Sequence, residues 1–269
     1  MKNPDRLDGV RALACGASAG IGRAIAEELA RRGARVTVLA RRRAALEEVR
    51  ARLEEISRES GGAGGHLVLP ADMDRPEEAA AAVRAHLAEN GPHLVLVLNS
   101  GGPPAGPIVE AEPADFEAAF RRLLLAGHLL VRELLPGMRD AGWGRIVNVV
   151  SLSVRAPIPG LGVSNTARWA VAAWAKTLAG EVARDGITVN CVLPGYTDTE
   201  RLAGLFEKMA AERGTDPETV ARETAERIPA GRLGRPEEVA ALAGFLASPA
   251  ASYVTGTAIP ADGGASPAP

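Results

Sequence analysis

Gly16, Gly20 and Gly22 sit between an apolar run that ends at Cys15 and a periodic stretch from Arg23 to Arg32. A strand, a tight glycine turn and a helix are expected in that order. In such a turn backbone N–H groups converge on an anion, and the helix adds the positive end of its dipole. Glycine is needed where a side chain would block the turn or the phosphates. The context makes this a dinucleotide fingerprint, although a glycine turn that serves only helix packing has the same spacing. The next apolar run ends Val38-Leu39-Ala40, followed by Arg41, Arg42 and Arg43. An acid at the Ala40 position would accept hydrogen bonds from both ribose hydroxyls of NAD. Ala40 offers no acceptor, whereas a guanidinium is shaped to grip a 2′-phosphate. Arg41 and Arg42 therefore point to NADP(H), with NAD(H) less favoured; the bland alternative is a solvated start to a charged helix.

The elements that must position these residues alternate along the chain. Strand-like runs fall at 10–15, 35–40, 66–70, 94–98, 145–150, 187–193 and 257–260. Helical patterns separate them at 21–32, 42–57, 76–89, 113–140, 162–183 and 236–247. Short apolar runs between longer amphipathic segments indicate βα units and a parallel sheet. Segment 199–234 breaks the alternation: Leu202, Leu205, Phe206 and Met209 give one apolar helical face, and a second helix is expected near Pro217. No repeat or linker divides the chain, so residues 1–269 are expected to form one α/β domain.

Bulk properties exclude several functions. A net charge of −2 and a hydrophobic content of 46% fit a soluble globular protein. No basic block supports nucleic-acid or membrane-surface binding, and no apolar run approaches the length of a membrane span. The charged first residues lack a signal-peptide core, which points to the cytoplasm. Both cysteines fall on expected buried strands, and the four histidines and two cysteines show no metal-ligand spacing.

The run from Cys15 to Gly22 resembles the opening of the short-chain dehydrogenase/reductase family, with Cys15 at the family's Thr position. The resemblance extends from about Leu7 to Gly264. It implies a Rossmann-type doubly wound sheet of about seven strands with helices on both faces, and a small helical lid at 199–234. It also implies cofactor contacts from Gly16, Ser18, Gly20, Ile21 and Gly22. Ala71-Asp72-Met73 resembles the family pair that meets the adenine, and Asn99-Ser100-Gly101-Gly102 the segment that lies along the ribose. Pro194-Gly195-Tyr196-Thr197-Asp198-Thr199 resembles the loop that orients the nicotinamide through Pro194, Gly195, Thr197 and Thr199. The C-terminal pattern implies association of copies into dimers or tetramers.

The family reduces a carbonyl with a Tyr acid, a Lys four residues later, a Ser thirteen residues before the Tyr, and a helix Asn. Ser151 takes the Ser position at the end of the fifth strand. Counting on gives Ser164 for the Tyr and Arg168 for the Lys, and the Asn position falls at Leu123. No Tyr in the chain is followed four residues later by Lys. A serine hydroxyl is a far weaker acid than a phenol and reaches less far. Arg168 keeps the charge and can bind ribose hydroxyls, but it stays protonated and cannot relay a proton. Replacement acids are Ser151 itself, Tyr196, a water beside Ser151 and Ser164, or His128, which reads better as a packing or interface residue. The expected function is NADP(H)-dependent reduction of a ketone or 3-oxoacyl thioester, or the reverse oxidation, at an atypical site. The alternative is an NADP(H)-binding sensor or inactive partner subunit.

Overall fold

The computed structural model describes residues 3–267. Seven strands form one parallel sheet in the order β3-β2-β1-β4-β5-β6-β7. They are β1 (Arg11–Cys15), β2 (Arg35–Ala40), β3 (Leu67–Pro70), β4 (Val95–Leu98), β5 (Gly144–Val149), β6 (Ile187–Pro194) and β7 (Ala258–Ala261). Helices α1 (Gly20–Arg31), α2 (Arg43–Ser60) and α9 (Pro236–Ala247) cover one face. Helices α3 (Pro76–Asn90), α5 (Ala126–Asp140) and α6 (Gly162–Val182) cover the other.

Strand alternation produces this division. In β1, Ala12 and Ala14 join the first core cluster, while Leu13 and Cys15 join the second. Both faces of the strand are therefore buried, as a parallel sheet requires. Cys15 and Cys191 are buried and free, and burial pushes both thiols up to about 12, so they act as core residues.

The sheet order reverses between β1 and β4, and the crevice at that switch point opens at the carboxyl ends of the strands. The glycine turn after β1 and Asn99 after β4 meet there. A Cβ on Gly16 would lie 2.6 Å from the Asn99 carbonyl oxygen, and Asn99 Nδ2 donates to Gly16 O at 3.2 Å.

One expectation needs correction. The stretch 113–140 is not a single α-helix. It runs as α4 (Pro113–Phe120), a π-helical turn at Arg121–Leu125, and α5. The extra residue of the π turn re-aims the side chains there. Arg122 forms a two-contact ion pair with Asp74, and Arg121 reaches Glu77 at 2.9 Å.

Segment 199–234 contains α7 (Glu200–Arg213) and α8 (Pro217–Arg227) with a small core of their own, Leu202, Phe206, Ala210 and Val220. Its two ends are stitched together: Asp198 N donates to Gly234 O at 2.8 Å and Gly234 N to Tyr196 O at 2.9 Å.

Three of the four histidines, scattered in sequence, gather beside β2. Thr37 Oγ lies 3.0 Å from His86 Nε2 and 2.9 Å from His93 Nε2. His66 Nδ1 accepts from Val36 N at 3.0 Å, and its Nε2 lies 2.8 Å from Ser57 Oγ. No cluster of metal-ligating side chains exists among the described residues.

Candidate active site

Two adjoining cavities occupy the crevice. The first, about 400 Å³, is lined by the glycine turn through Gly16, Ser18, Gly20 and Ile21. Gly16 and Gly20 hold φ of 60° and 54°, which glycine alone adopts without strain. Helix α1 starts at this turn with no side chain capping its free N–H groups and no acid in its first turn. At the far end Ala40, Arg41 and Arg42 reach the cavity, and Asp72, Met73, Asn99 and Gly101 form its side. Asp72 also accepts from Asp74 N at 3.0 Å, which fixes the turn after β3.

Gly22 does not line the cavity. A Cβ there would fall 2.2 Å from Gly16 O and 2.5 Å from Asn99 Nδ2. Gly22 lets the start of α1 pack beneath the turn and has no surface of its own for a ligand.

The second cavity, about 640 Å³, continues from the first past Ile21, Asn99 and Thr199. Ser151, Ser164 and Arg168 line it together with Pro194, Gly195 and Thr197. Ser151 follows β5 and its Oγ accepts from Ser153 N at 3.0 Å. Ser164 and Arg168 stand one turn apart on α6, and Arg168 Nε donates to Ser164 Oγ at 3.3 Å. Arg168 is only 9% exposed, and its Nη1 donates to Val150 O. Among the described residues no carboxylate pairs with it; burial and the nearby charge of Arg201 bring its guanidinium down to about 10. Thr199 caps α7, accepting from Leu202 N at 3.3 Å, so the loop 194–199 and the start of α7 are one piece.

The other candidates separate. Tyr196 lines the second cavity and packs on the small core of α7 and α8. His128 lies exposed on α5, its ring edge-on to Trp174 at 6.3 Å, and lines neither cavity. Leu123 borders a third space of about 20 Å³ shared with Arg168 and Asn148. That volume suits one water. Asn148 Oδ1 is buried there with no partner among the described residues, while its Nδ2 donates to Asn190 O at 3.3 Å.

Sequence reasoning missed Asn148, Arg122, Arg201 and Lys208. Arg122 adjoins Leu123 and Arg201 follows Thr199 by two residues, so both were visible as cations beside named positions. Only the π turn and the course of α7 aim them at the crevice.

The model of the family described as enoyl-(acyl carrier protein) reductase matches residues 16–266. The chain belongs to the short-chain dehydrogenase/reductase family. Within it, the 3-oxoacyl-(acyl-carrier-protein) reductase of Pseudomonas aeruginosa is 35% identical over 261 residues, covering 96% of this chain and 98% of that protein. The L-sorbose reductase of Gluconobacter frateurii, solved with NADPH and L-sorbose, is similar with a TM-score of 0.90 at 30% identity, over 99% of this chain and 100% of that one. A 3-oxoacyl (acyl-carrier-protein) reductase of Agrobacterium tumefaciens with NADP bound gives 0.86 at 29% identity, over 97% and 96%. The family match thus spans both cavities, including the second, where Ser164 and Arg168 stand.

Proposed function

We propose that this protein is an NADP(H)-dependent oxidoreductase that reduces a ketone or 3-oxoacyl thioester, or runs the reverse oxidation, without the usual phenol acid. One observation carries the reading: a glycine-cradled cavity adjoins a second cavity whose lining includes Ser151, Ser164 and Arg168. The first cavity suits the cofactor. Its turn presents uncapped N–H groups to a pyrophosphate, and Arg41 and Arg42 stand where a 2′-phosphate would need them. When bound, NADPH would supply the hydride that a carbonyl carbon takes up.

The chain's own groups would stabilise charge on the carbonyl oxygen. Arg168 donates to Ser164 Oγ, which leaves the Ser164 proton free for a substrate oxygen. Ser151 Oγ accepts from Ser153 N and likewise keeps its own proton to give. Two hydroxyls beside a buried guanidinium form a preorganised oxyanion site. Neither serine titrates near working pH, so the neutralising proton comes from solvent in the open cavity. A positioned general acid contributes about 10²–10⁴-fold, and slow turnover is expected without one.

The missing phenol also favours a second reading, an NADP(H)-binding sensor or inactive partner subunit. Association into a dimer or tetramer is supported by exposed large side chains, Phe245 on α9 and Tyr253 beyond it. Titration with NADPH, then NADPH oxidation with a panel of ketones and 3-oxoacyl thioesters, tests both readings. Binding with turnover supports the oxidoreductase, and binding without turnover on any carbonyl supports the sensor. Absence of NADPH binding overturns both.

A further inference from the structure

The second cavity carries a charge pattern that its proposed reaction does not require. Arg122, Arg168, Arg201 and Lys208 all line it, and no Asp or Glu does. Arg122 is neutralised by Asp74. Arg168 and Arg201 have no carboxylate partner among the described residues. Their Nη2 atoms converge on one spot: a Cβ on Gly102 would lie 2.6 Å from that of Arg201 and 3.0 Å from that of Arg168. Like charges brought together in a partly buried site repel, and a bound anion relieves that cost.

The bonds that these groups already make leave donors over. Arg168 uses Nε on Ser164 and Nη1 on Val150 O, and Arg201 uses Nη1 on Gly102 O at 3.4 Å. The Nη2 of each, with two N–H donors, lies beside Gly102 and makes no hydrogen bond among the described residues. Lys208 stands two turns along α7 from Arg201, on the same cavity, holds Ala105 O at 2.8 Å and is paired with Glu212 at 3.8 Å, so Arg168 and Arg201 are the cations left without a counter-charge among the described residues of its lining. The rest of the wall is apolar, with Pro104, Ile158, Leu161, Leu202 and Leu205.

We propose that Arg168 and Arg201 form an anion subsite in the second cavity, and that the substrate is a carbonyl compound with an apolar body and a carboxylate or phosphate group. The assignment rests on the proposed function and names its substrate class. The competing anion is the cofactor's own pyrophosphate, because Arg201 borders both cavities. Position favours the substrate. The first cavity holds Asp72, Asp74 and Glu200 among its cations, whereas Arg168 and Lys208 line the second and not the first.

Calorimetric titration of the NADPH-saturated protein with hexanoate, and with hexanamide as the neutral isostere, tests the subsite. Hexanoate is expected to bind about ten-fold or more tightly than hexanamide, since charge-assisted hydrogen bonds are roughly twice as strong as neutral ones. Arg201→Gln should abolish that preference while shifting the NADPH Kd less than about three-fold. Arg201 is exposed on the first turn of α7, so the variant should fold, and an unchanged melting temperature confirms it. Equal binding of the two probes overturns the subsite, as does a preference that survives Arg201→Gln. A variant that weakens NADPH as much as hexanoate assigns Arg201 to the pyrophosphate and also overturns it. NADPH that binds without a hexanoate preference leaves the proposed function standing. Failure of NADPH to bind removes both.

Discussion

Arg168 is a buried cation held by a backbone carbonyl and a serine, and we propose that it stands where the family has a lysine beside a tyrosine. If Ser164 and Arg168 hold those places, Ser164→Tyr with Arg168→Lys should restore a titratable acid. An adjacent ammonium lowers a phenol pKa toward working pH. Carbonyl reduction should rise by about 10²-fold in the double variant, the lower end of what a general acid gives. Each single change should give much less, because the pair acts as a unit; steady-state NADPH oxidation by all three variants checks this. Leu123 caps the gain, since it cannot hold a relay water. At the other end of the crevice, Arg41→Ala should weaken NADPH about ten-fold and leave NADH unchanged, by nucleotide fluorescence titration. A 2′-phosphate contact is absent from NADH, so equal losses would reassign Arg41 to the solvated face of α2. Both cavities' walls were largely legible in the sequence because strand ends carry them: Gly16, Ala40, Asp72, Asn99, Ser151 and Pro194 all sit at or just beyond a strand's carboxyl end. Gly22 stands outside the cavity lining, and a glycine needed for close packing has the same letter and spacing as one needed for a ligand. Asn148 was passed over because a buried strand residue with one orphaned oxygen looks, in sequence, like any other polar residue on a central strand.

At the scale of elements, α7 and α8 stand apart from the sheet's two cores. Their cluster rests on Phe206, which is 4% exposed, with Leu202, Ala210 and Val220. Removing a buried Phe costs about 3–5 kcal/mol, more than so small a cluster can absorb. Phe206→Ala should therefore unfold α7 and α8 locally while the sheet stays intact. Hydrogen exchange should show lost protection confined to about 200–227, and global protection of β1, β4 and β5 should persist. The segment's two ends are stitched to each other at Tyr196, Asp198 and Gly234, so it joins the rest of the molecule at one seam. The apolar face at Leu202, Leu205, Phe206 and Met209 was readable from its spacing alone. Its division of labour was not: Phe206 packs inward, while Leu202 and Leu205 also reach the second cavity. The π turn at Arg121–Leu125 had no sequence signal, since apolar periodicity runs through it unbroken and only the Asp74 contact reveals the shift.

For the molecule as a whole, acid stability depends on the histidines beside β2. Burial lowers the pKa of His66, His86 and His93, that of His93 to about 4. A folded-state pKa below the unfolded one means that the unfolded chain takes up protons first. The stabilisation is complete above about pH 6.5 and is lost as pH falls through the folded value. His93 alone should withdraw about 3 kcal/mol by pH 4. Melting temperatures from pH 7.5 to 4 should fall steeply, and His93→Gln should flatten that slope. The global α/β order was legible because both strand and helix periods are strong, yet the meeting of three distant histidines at β2 follows from sheet order, which no local pattern encodes. Their contacts also run in a single direction. Gly91 O can only accept, so the His93 proton bonded to it at 3.1 Å sits on Nδ1. His93 Nε2 must then accept the Thr37 hydroxyl proton, and Thr37 Oγ accepts from His86 Nε2–H. His86 Nδ1 is left to accept from Asn90 Nδ2 at 3.3 Å. Two imidazoles with centroids 5.2 Å apart are thus locked as opposite tautomers, and side-chain nitrogen chemical shifts near neutral pH should record one ring protonated at Nδ1 and its neighbour at Nε2.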